Sequence, residues 1–343
     1  MADQKLRVGI VGAGGIVRSR HMPGFAAIDG VSVDAVANRT RESSERAAAE
    51  FGIPRVHEHW RALVADRELD AVVVGTWPNL HAPVTIAALA AGKHVLVQAR
   101  LARDAVEGRA IAAAAAARPD LVTMVVPAPF TFWADARLRQ LLADGEIGQL
   151  RLVRAFFGGG NGPLRPGPGW RRDRRYSGNN VLALGIHYEQ LARWVGHAVW
   201  VQANEQIIEP YSADVPVDVP DLVSVQAELP GGARLSLDMS PHARFGGPDI
   251  VHLFGSTGTL VVNVDDRQIL LRREGGVEED VTPPAADRGE WRVEAEFVGA
   301  IRGTEQVRLT DVDTAVRYLE FTDAVRQSAA EGRRIGLPPA MSV

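Results

Sequence analysis

A chain of 343 residues, 46% hydrophobic and 23% charged, is long enough for two ordinary domains and has the balance of a water-soluble globular protein. A net charge of −4 with mixed signs offers no field for nucleic acid or an anionic membrane, and no apolar run reaches the ~18 residues a membrane span needs. The absence of cysteine removes disulfides, thiol nucleophiles and thiolate metal sites, and with a start that runs straight into a strand the expected location is the cytoplasm.

Short β-branched-rich apolar runs at 6–11, 32–37, 70–75, 94–97 and 121–125 have the pattern of strands covered on both faces. Helical segments at 16–28, 41–51, 58–65, 80–90 and 104–117 alternate with them, as in a doubly wound parallel sheet. The alanine-rich end of the last segment is a packed or surface helix, because alanine is the best helix former and Arg118-Pro119-Asp120 stops it. A second domain begins at 126, with a helix at 134–142, a turn at Asp144-Gly145-Glu146-Ile147-Gly148 and a longer strand at 151–157. The Gly/Pro-rich stretch 158–169 has a length that compact domains use mainly to bind or cover a site. A helix at 180–194, six strands between 198 and 272 joined by Gly-containing turns, and helices at 291–301 and 314–328 complete the chain. The expected fold is α/β: an N-terminal Rossmann doubly wound parallel sheet over 1–125, then a C-terminal α+β domain over 126–343 with a large, mostly antiparallel sheet.

Gly12-Ala13-Gly14-Gly15-Ile16-Val17 follows the first strand and opens the first helix, where glycines let backbone amides approach a pyrophosphate. Val17 stands where the third glycine of Gly-x-Gly-x-x-Gly would, which removes the tightest helix–strand contact of that pattern. The second strand is followed by Asn38-Arg39-Thr40-Arg41, with no Asp or Glu to hold a ribose 2′-hydroxyl. Asn38 and Thr40 can donate to a 2′-phosphate, and Arg39 and Arg41 can pair with it, so NADP is favoured over NAD.

Ala90-Ala91-Gly92-Lys93-His94-Val95-Leu96-Val97-Gln98-Ala99-Arg100 resembles the Ala-Gly-Lys-His-Val-Leu-x-Glu-Lys-Pro segment of the glucose-fructose oxidoreductase / inositol dehydrogenase / rhizopine catabolism (Gfo/Idh/MocA) oxidoreductases. Gln98, Ala99 and Arg100 stand at its Glu, Lys and Pro positions. Gly75-Thr76-Trp77-Pro78-Asn79-Leu80-His81 resembles the family's Thr-Pro-Asn-x-x-His loop, shifted by Trp77. Further matches at Gly145-Glu146-Ile147-Gly148, Trp170-Arg171, Ser177-Gly178, Gly185-Ile186-His187 and Gly255-Ser256-Thr257-Gly258-Thr259 extend the resemblance over nearly the whole chain. It implies that Thr76, Trp77, Asn79, His81 and Gln98 border a nicotinamide cofactor, and that the substrate is a sugar, polyol or related cyclic molecule. Asn79 is equally a good helix N-cap.

The resemblance also implies a catalytic lysine and an Asp-x-x-x-His pair. Ala99 and Ala183 occupy the lysine and aspartate positions and His187 remains, one helical turn from 183 and on the same face. Lys93 cannot stand in, since the extended strand up to Ala99 places it on the order of 20 Å away. Arg100 stays protonated and cannot act as a general base, so its expected role at the site is to hold an anionic substrate group. Replacing proline by Arg100 also removes the residue type that tolerates a cis peptide, so the backbone there is expected to depart from the family's. His187, with an ordinary pKa of about 6.5, is the acid/base candidate. Arg171 is a substrate-positioning candidate, Tyr188 and Tyr176 are weaker proton donors, and the aromatic run Pro127 to Trp133 suits a flat substrate or the core. His57-Glu58-His59 only alternates along the chain, and no metal is expected.

The leading expectation is an NAD(P)-dependent oxidoreductase of the 1.1.1 type, moving hydride to or from an oxygen-bearing carbon of a small, anionic or neutral substrate, as a homodimer or homotetramer. The missing Lys and Asp leave two alternatives: a nucleotide-binding sensor or partner subunit without dehydrogenase activity, and a redox-neutral elimination or epimerisation using bound NADP.

Overall fold

The computed structural model describes residues 5–158, 169–179, 183–212, 214–243 and 245–339. Strands β1 (Leu6–Val11), β2 (Val31–Ala37), β3 (Arg55–Val56), β4 (Ala71–Val74), β5 (His94–Val97) and β6 (Thr123–Val125) form an all-parallel sheet in the order β3-β2-β1-β4-β5-β6. This is the expected Rossmann sheet, and its order reverses between β1 and β4. Helices α1 (Met22–Ala26), α2 (Arg41–Phe51), α3 (Trp60–Ala65), α4 (His81–Ala90) and α5 (Ala105–Ala116) alternate with the strands. Every residue of β4 is fully buried, which is why its sequence is an unbroken Ala-Val-Val-Val run. The first helix opens with a π-turn over Val17–His21, closed by the Met22 N–H donating to Val17 O, before it continues as α1.

The second sheet has nine strands: β7 (Leu150–Phe157), β8 (Trp200–Gln206), β11 (Leu222–Glu228), β12 (Arg234–Met239), β13 (Ile250–Gly255), β14 (Gly258–Asn263), β15 (Gln268–Arg273), β16 (Glu278–Asp280) and β17 (Ile335–Gly336). A short ladder of β9 (Tyr211–Ser212) and β10 (Val215–Pro216) lies apart from it. All neighbours in the large sheet run antiparallel except β7 and β12, as expected for a mostly antiparallel sheet. Alternate residues are buried, Val153, Ala155 and Phe157 on β7 and Leu235, Leu237 and Met239 on β12. Helices α6 (Phe132–Ala143), α7 (Arg174–Ser177) and α8 (Leu184–Val195) belong to the same unit.

Two helices close the chain, α9 (Val293–Arg302) and α10 (Val312–Glu331), and they change the domain boundaries. The compact units are 1–127 with 292–319, and 128–291 with 320–343, so the expected single cut at 125/126 misses a return of the chain to the Rossmann unit. The Arg302 guanidinium donates to Asp29 O at 2.7 Å and the Val125 N–H to Thr310 O at 3.1 Å, long-range bonds that local periodicity does not encode. A second correction concerns α8. It starts at Leu184, and Ala183 adopts a left-handed φ of 64°, so Ala183 and His187 do not share a helix face. The expected helix start at 180 and residues 159–168 of the Gly/Pro-rich loop lie outside the described residues. No described helix is long and apolar enough to cross a membrane.

At the C-terminal edge of the Rossmann sheet Gly12, with φ of 90°, closes on Gly75. A Cβ on Gly75 would stand 2.3 Å from Gly12 O and 2.4 Å from Val17 Cγ2. Val17 therefore does not loosen the helix–strand contact as its replacement of a glycine suggests. The side chain is omitted on the opposite partner, Gly75, and Val17 is 1% exposed. Gly75→Ala is expected to cost about 2 kcal/mol through overpacking, seen as a lower urea midpoint at unchanged slope.

Candidate functional site

The glycine loop leaves an open cradle. Gly14, Gly15 and Ile16 are exposed, and a Cβ on Gly15 would meet nothing within 4 Å. Asn38 fixes this loop: its Oδ1 accepts from the Ala13 N–H at 2.7 Å and its Nδ2 donates to Ser43 O at 2.8 Å. The amide oxygen and one of its two N–H groups are thus engaged with backbone, so the side chain shapes the loop itself, the role its bonds show, where donation to a phosphate was expected. Thr40 caps α2, its Oγ1 accepting from the Ser43 N–H at 3.3 Å, and Arg41 pairs with Glu45 and Glu58, each at 2.8 Å. Arg39 differs: it is exposed, and its guanidinium lies 5.5 Å over the ring of Trp77.

After β4 the chain makes a tight turn over Pro78–Leu80, and α4 begins only at His81. Asn79 is thus not the N-cap, a position taken by Leu80, and its Oδ1 is buried without a hydrogen-bond partner. His81 is 1% exposed, with ring nitrogens 2.7 Å from Arg100 O and 2.9 Å from Thr76 O. Burial holds it below the ordinary histidine pKa despite the two carbonyls. So enclosed between the loops after β4 and β5, the neutral ring donates its single N–H to one of the two carbonyls, and it has no surface for the direct cofactor contact that the resemblance implied. The Ala99–Arg100 peptide is cis. The next amide, of Leu101, donates to the buried Tyr318 hydroxyl at 2.6 Å. Arg100 itself is 3% exposed. Lys93 lies at the other end of β5, its Nζ donating to Leu69 O at 2.5 Å, and cannot replace the lysine missing at Ala99.

Gln98, half-buried after β5, bonds through its amide to His21 Nε2, and His21 Nδ1 bonds to the Glu294 carboxylate. Neither His21 nor Glu294 is anticipated from sequence. A signal existed for the first: His21 lies four residues from both Val17 and Phe25, on the apolar face of its helix.

In the second unit, the half-buried His187 ring is stacked between Phe157 (centroids 4.4 Å apart) and Phe130 (5.1 Å), with Gln190 Nε2 3.5 Å from its Nδ1. The aromatic run after β6 therefore divides: Phe130 is 43% exposed, whereas Phe132 and Trp133 are buried at 8% and 4%. Arg193 anchors this run. It donates to Ala128 O and Glu189 Oε1, both at 2.9 Å, and pairs with Asp135 at 2.9 Å, while Glu189 accepts from the Ala128 N–H at 3.0 Å. Tyr188 is a core residue, which corrects its assignment to substrate. It is 1% exposed, its hydroxyl accepts from the Ala198 N–H at 2.7 Å, and its ring lies 3.6 Å from that of Phe321. The next residue along a helix points about 100° away, so His187 and Tyr188 face differently. Arg171 is exposed, with its guanidinium 4.3 Å over the Trp170 ring. Among the described residues no group of three or more His, Asp and Glu side chains is placed to hold a metal.

Comparison with known proteins agrees with this architecture. Residues 6–125 match the oxidoreductase family with an NAD-binding Rossmann fold, and residues 136–261 match the GFO/IDH/MocA C-terminal domain. The chain belongs to the Gfo/Idh/MocA family of oxidoreductases. It is 30% identical to dTDP-3,4-didehydro-2,6-dideoxy-alpha-D-glucose 3-reductase of Streptomyces violaceoruber, over 94% of this chain and 95% of that one. It is 25% identical to levoglucosan dehydrogenase of Pseudarthrobacter phenanthrenivorans, over 97% of this chain and 94% of that one. A solved structure of levoglucosan dehydrogenase in complex with NADH and levoglucosan shares the fold, with a TM-score of 0.84 at 22% identity over 98% of this chain and all of the other.

Proposed function

We propose that this chain is an NADP(H)-dependent oxidoreductase acting at an oxygen-bearing carbon of a sugar or related cyclic polyol, with His187 exchanging the proton. One observation carries the cofactor reading: Arg39 stands exposed over Trp77 where an NAD-selective site would hold a carboxylate. A guanidinium resting on an indole keeps its N–H edge for a 2′-phosphate. The open cradle at Gly14 and Gly15, the 50% exposed apolar side chain of Ile16 and the orphan Asn79 Oδ1 are features that a dinucleotide would satisfy. Gly12, Gly14, Gly15 and Ile16 would hold its pyrophosphate, Arg39 its 2′-phosphate, and Asn79, Trp77 and Gln98 its nicotinamide end. When bound, the nicotinamide supplies or takes up the hydride.

The substrate class is supported by relatives named for a dTDP-sugar reductase and a levoglucosan dehydrogenase. With alanine at positions 99 and 183, proton exchange falls to the imidazole of His187, whose ring plane is set by stacking on Phe130 and Phe157. Arg171, exposed, would hold polar groups of the substrate, whereas Arg100, 3% exposed, is as enclosed as His81, which corrects the expectation that it holds an anionic substrate group.

On a substrate found by screening sugars and keto sugars for a change in reduced-nicotinamide absorbance, His187→Ala is expected to lower kcat by about 10²-fold or more. Undiminished turnover would remove the acid/base role. Arg39→Ala is expected to weaken NADPH binding about tenfold, the worth of a charge-assisted bond, and to leave NADH binding almost unchanged. Equal losses for the two dinucleotides would contradict the NADP reading.

A further inference from the structure

Three polar side chains meet in the interior of the Rossmann unit. His21 is fully buried at the end of the π-turn, and Glu294, 3% exposed, arrives on α9 from 273 residues further along the chain. His21 Nδ1 bonds to the Glu294 carboxylate and His21 Nε2 to the side-chain amide of Gln98. The seat for Glu294 is shaped into the first helix, because a Cβ on Gly24 would stand 2.6 Å from both its Cδ and its Oε2. Two independent features, the paired ring and the glycine seat, thus bring a carboxylate to the imidazole that Gln98 touches.

The bonding order follows from what each group can do. A carboxylate only accepts, so Nδ1 carries the ring proton. The Gln98 amide turns its nitrogen, which only donates, to Nε2, so that ring nitrogen is the acceptor and takes an N–H of the amide. This is how a buried carboxylate holds an imidazole in one tautomer. The amide of Gln98 is thereby oriented with its nitrogen toward His21 and its oxygen turned away. Gln98 directly follows β5, at the carboxyl edge where doubly wound sheets bind ligands. A glutamate at position 98 would press a second carboxylate on the imidazole and demand a second ring proton. Glutamine lets the cluster work with the single carboxylate of Glu294.

We propose that Glu294 and His21 are positioning residues that fix Gln98 as a neutral hydrogen-bond acceptor for the carboxamide N–H of a bound nicotinamide. The inference rests on the dinucleotide reading above. It makes the cofactor site depend on α9, a helix remote from every nucleotide motif in the sequence.

The test uses the full-length protein with 15N-labelled histidine and no added dinucleotide, His21 being assigned by its loss in His21→Asn. Long-range 1H–15N correlation at neutral pH is expected to show His21 neutral and protonated at Nδ1. Glu294→Gln should abolish that single tautomer. Titration by nicotinamide fluorescence should show NADH and NADPH affinity falling together, about tenfold, in Glu294→Gln and in Gln98→Leu, a bond lost to both. The exchange Glu294→Gln/Gln98→Glu returns one carboxylate to the cluster from the other side, so it should fold with a wild-type thermal midpoint and show His21 protonated at Nε2. That variant decides the matter if Glu294→Gln alone does not fold. An imidazolium, or an Nε2–H tautomer, in the wild type would overturn the proposal, as would unchanged dinucleotide affinity in Glu294→Gln and Gln98→Leu. Failure of the wild type to bind either dinucleotide would instead overturn the functional reading itself.

Discussion

The backbones of Gly12 and Gly75 pass so close that neither has room for a Cβ, and the carboxyl edge of the Rossmann sheet is organised by that approach. β1 and β4 leave the sheet side by side at the point where strand order reverses. Because the space is taken from the two loops, Val17 can fill it from the first helix and become almost completely buried. The same residue opens the π-turn that ends at His21, a departure from α geometry of the kind that recurs at functional sites. Asn38 then pins Ala13 from the β2 side, the Gly14 N–H turns back to Gly12 O at 2.9 Å, and beside Gly15 there is open space, where an added Cβ would meet nothing within 4 Å. One steric constraint thus produces both the cradle and the inward histidine.

Gln98 and Ala99 are uncharged where the resemblance implies a Glu-Lys pair, and the unit buries the Glu294 carboxylate on His21 and Arg100 at 3% exposure. His81 lies between the backbone of this segment and that of the loop after β4, its ring nitrogens beside Arg100 O and Thr76 O. In the second unit His187 is oriented by stacking on Phe130 and Phe157. The Phe130 face is kept in place by Arg193, itself buried between Glu189 and Asp135. Removing one partner from a buried ion-pair group of this kind typically costs about 3–5 kcal/mol, so the segment carrying Phe130 is firmly held.

How much of this is legible in sequence depends on the range of the interaction. The strand 94–97 and the helix 41–51 coincide with β5 and α2 because a Val-Leu-Val run, buried after the half-buried His94, and a Thr-capped amphipathic stretch are local signals. The glycine loop, the missing ribose carboxylate and the alanines at 99 and 183 are equally local. The return of 292–319 to the first unit is not, nor is Glu294, whose role exists only through contact with a helix at the other end of the chain. Tyr188 and Asn38 show a second limit. Sequence supplies their hydrogen-bonding capacity but not the partners, which are the backbone groups of Ala198, Ala13 and Ser43. Ala183 shows a third, since one left-handed residue ends the face-sharing that helical spacing implies.

The central claim, hydride exchange without the family's lysine, is tested most directly by label transfer. Purified protein would be given NADPH carrying deuterium at the hydride carbon together with a panel of keto sugars, and the products analysed by mass spectrometry for carbon-bound deuterium. The account predicts that one sugar class gains the label. Tight dinucleotide binding with no label passed to any member of the panel would contradict it.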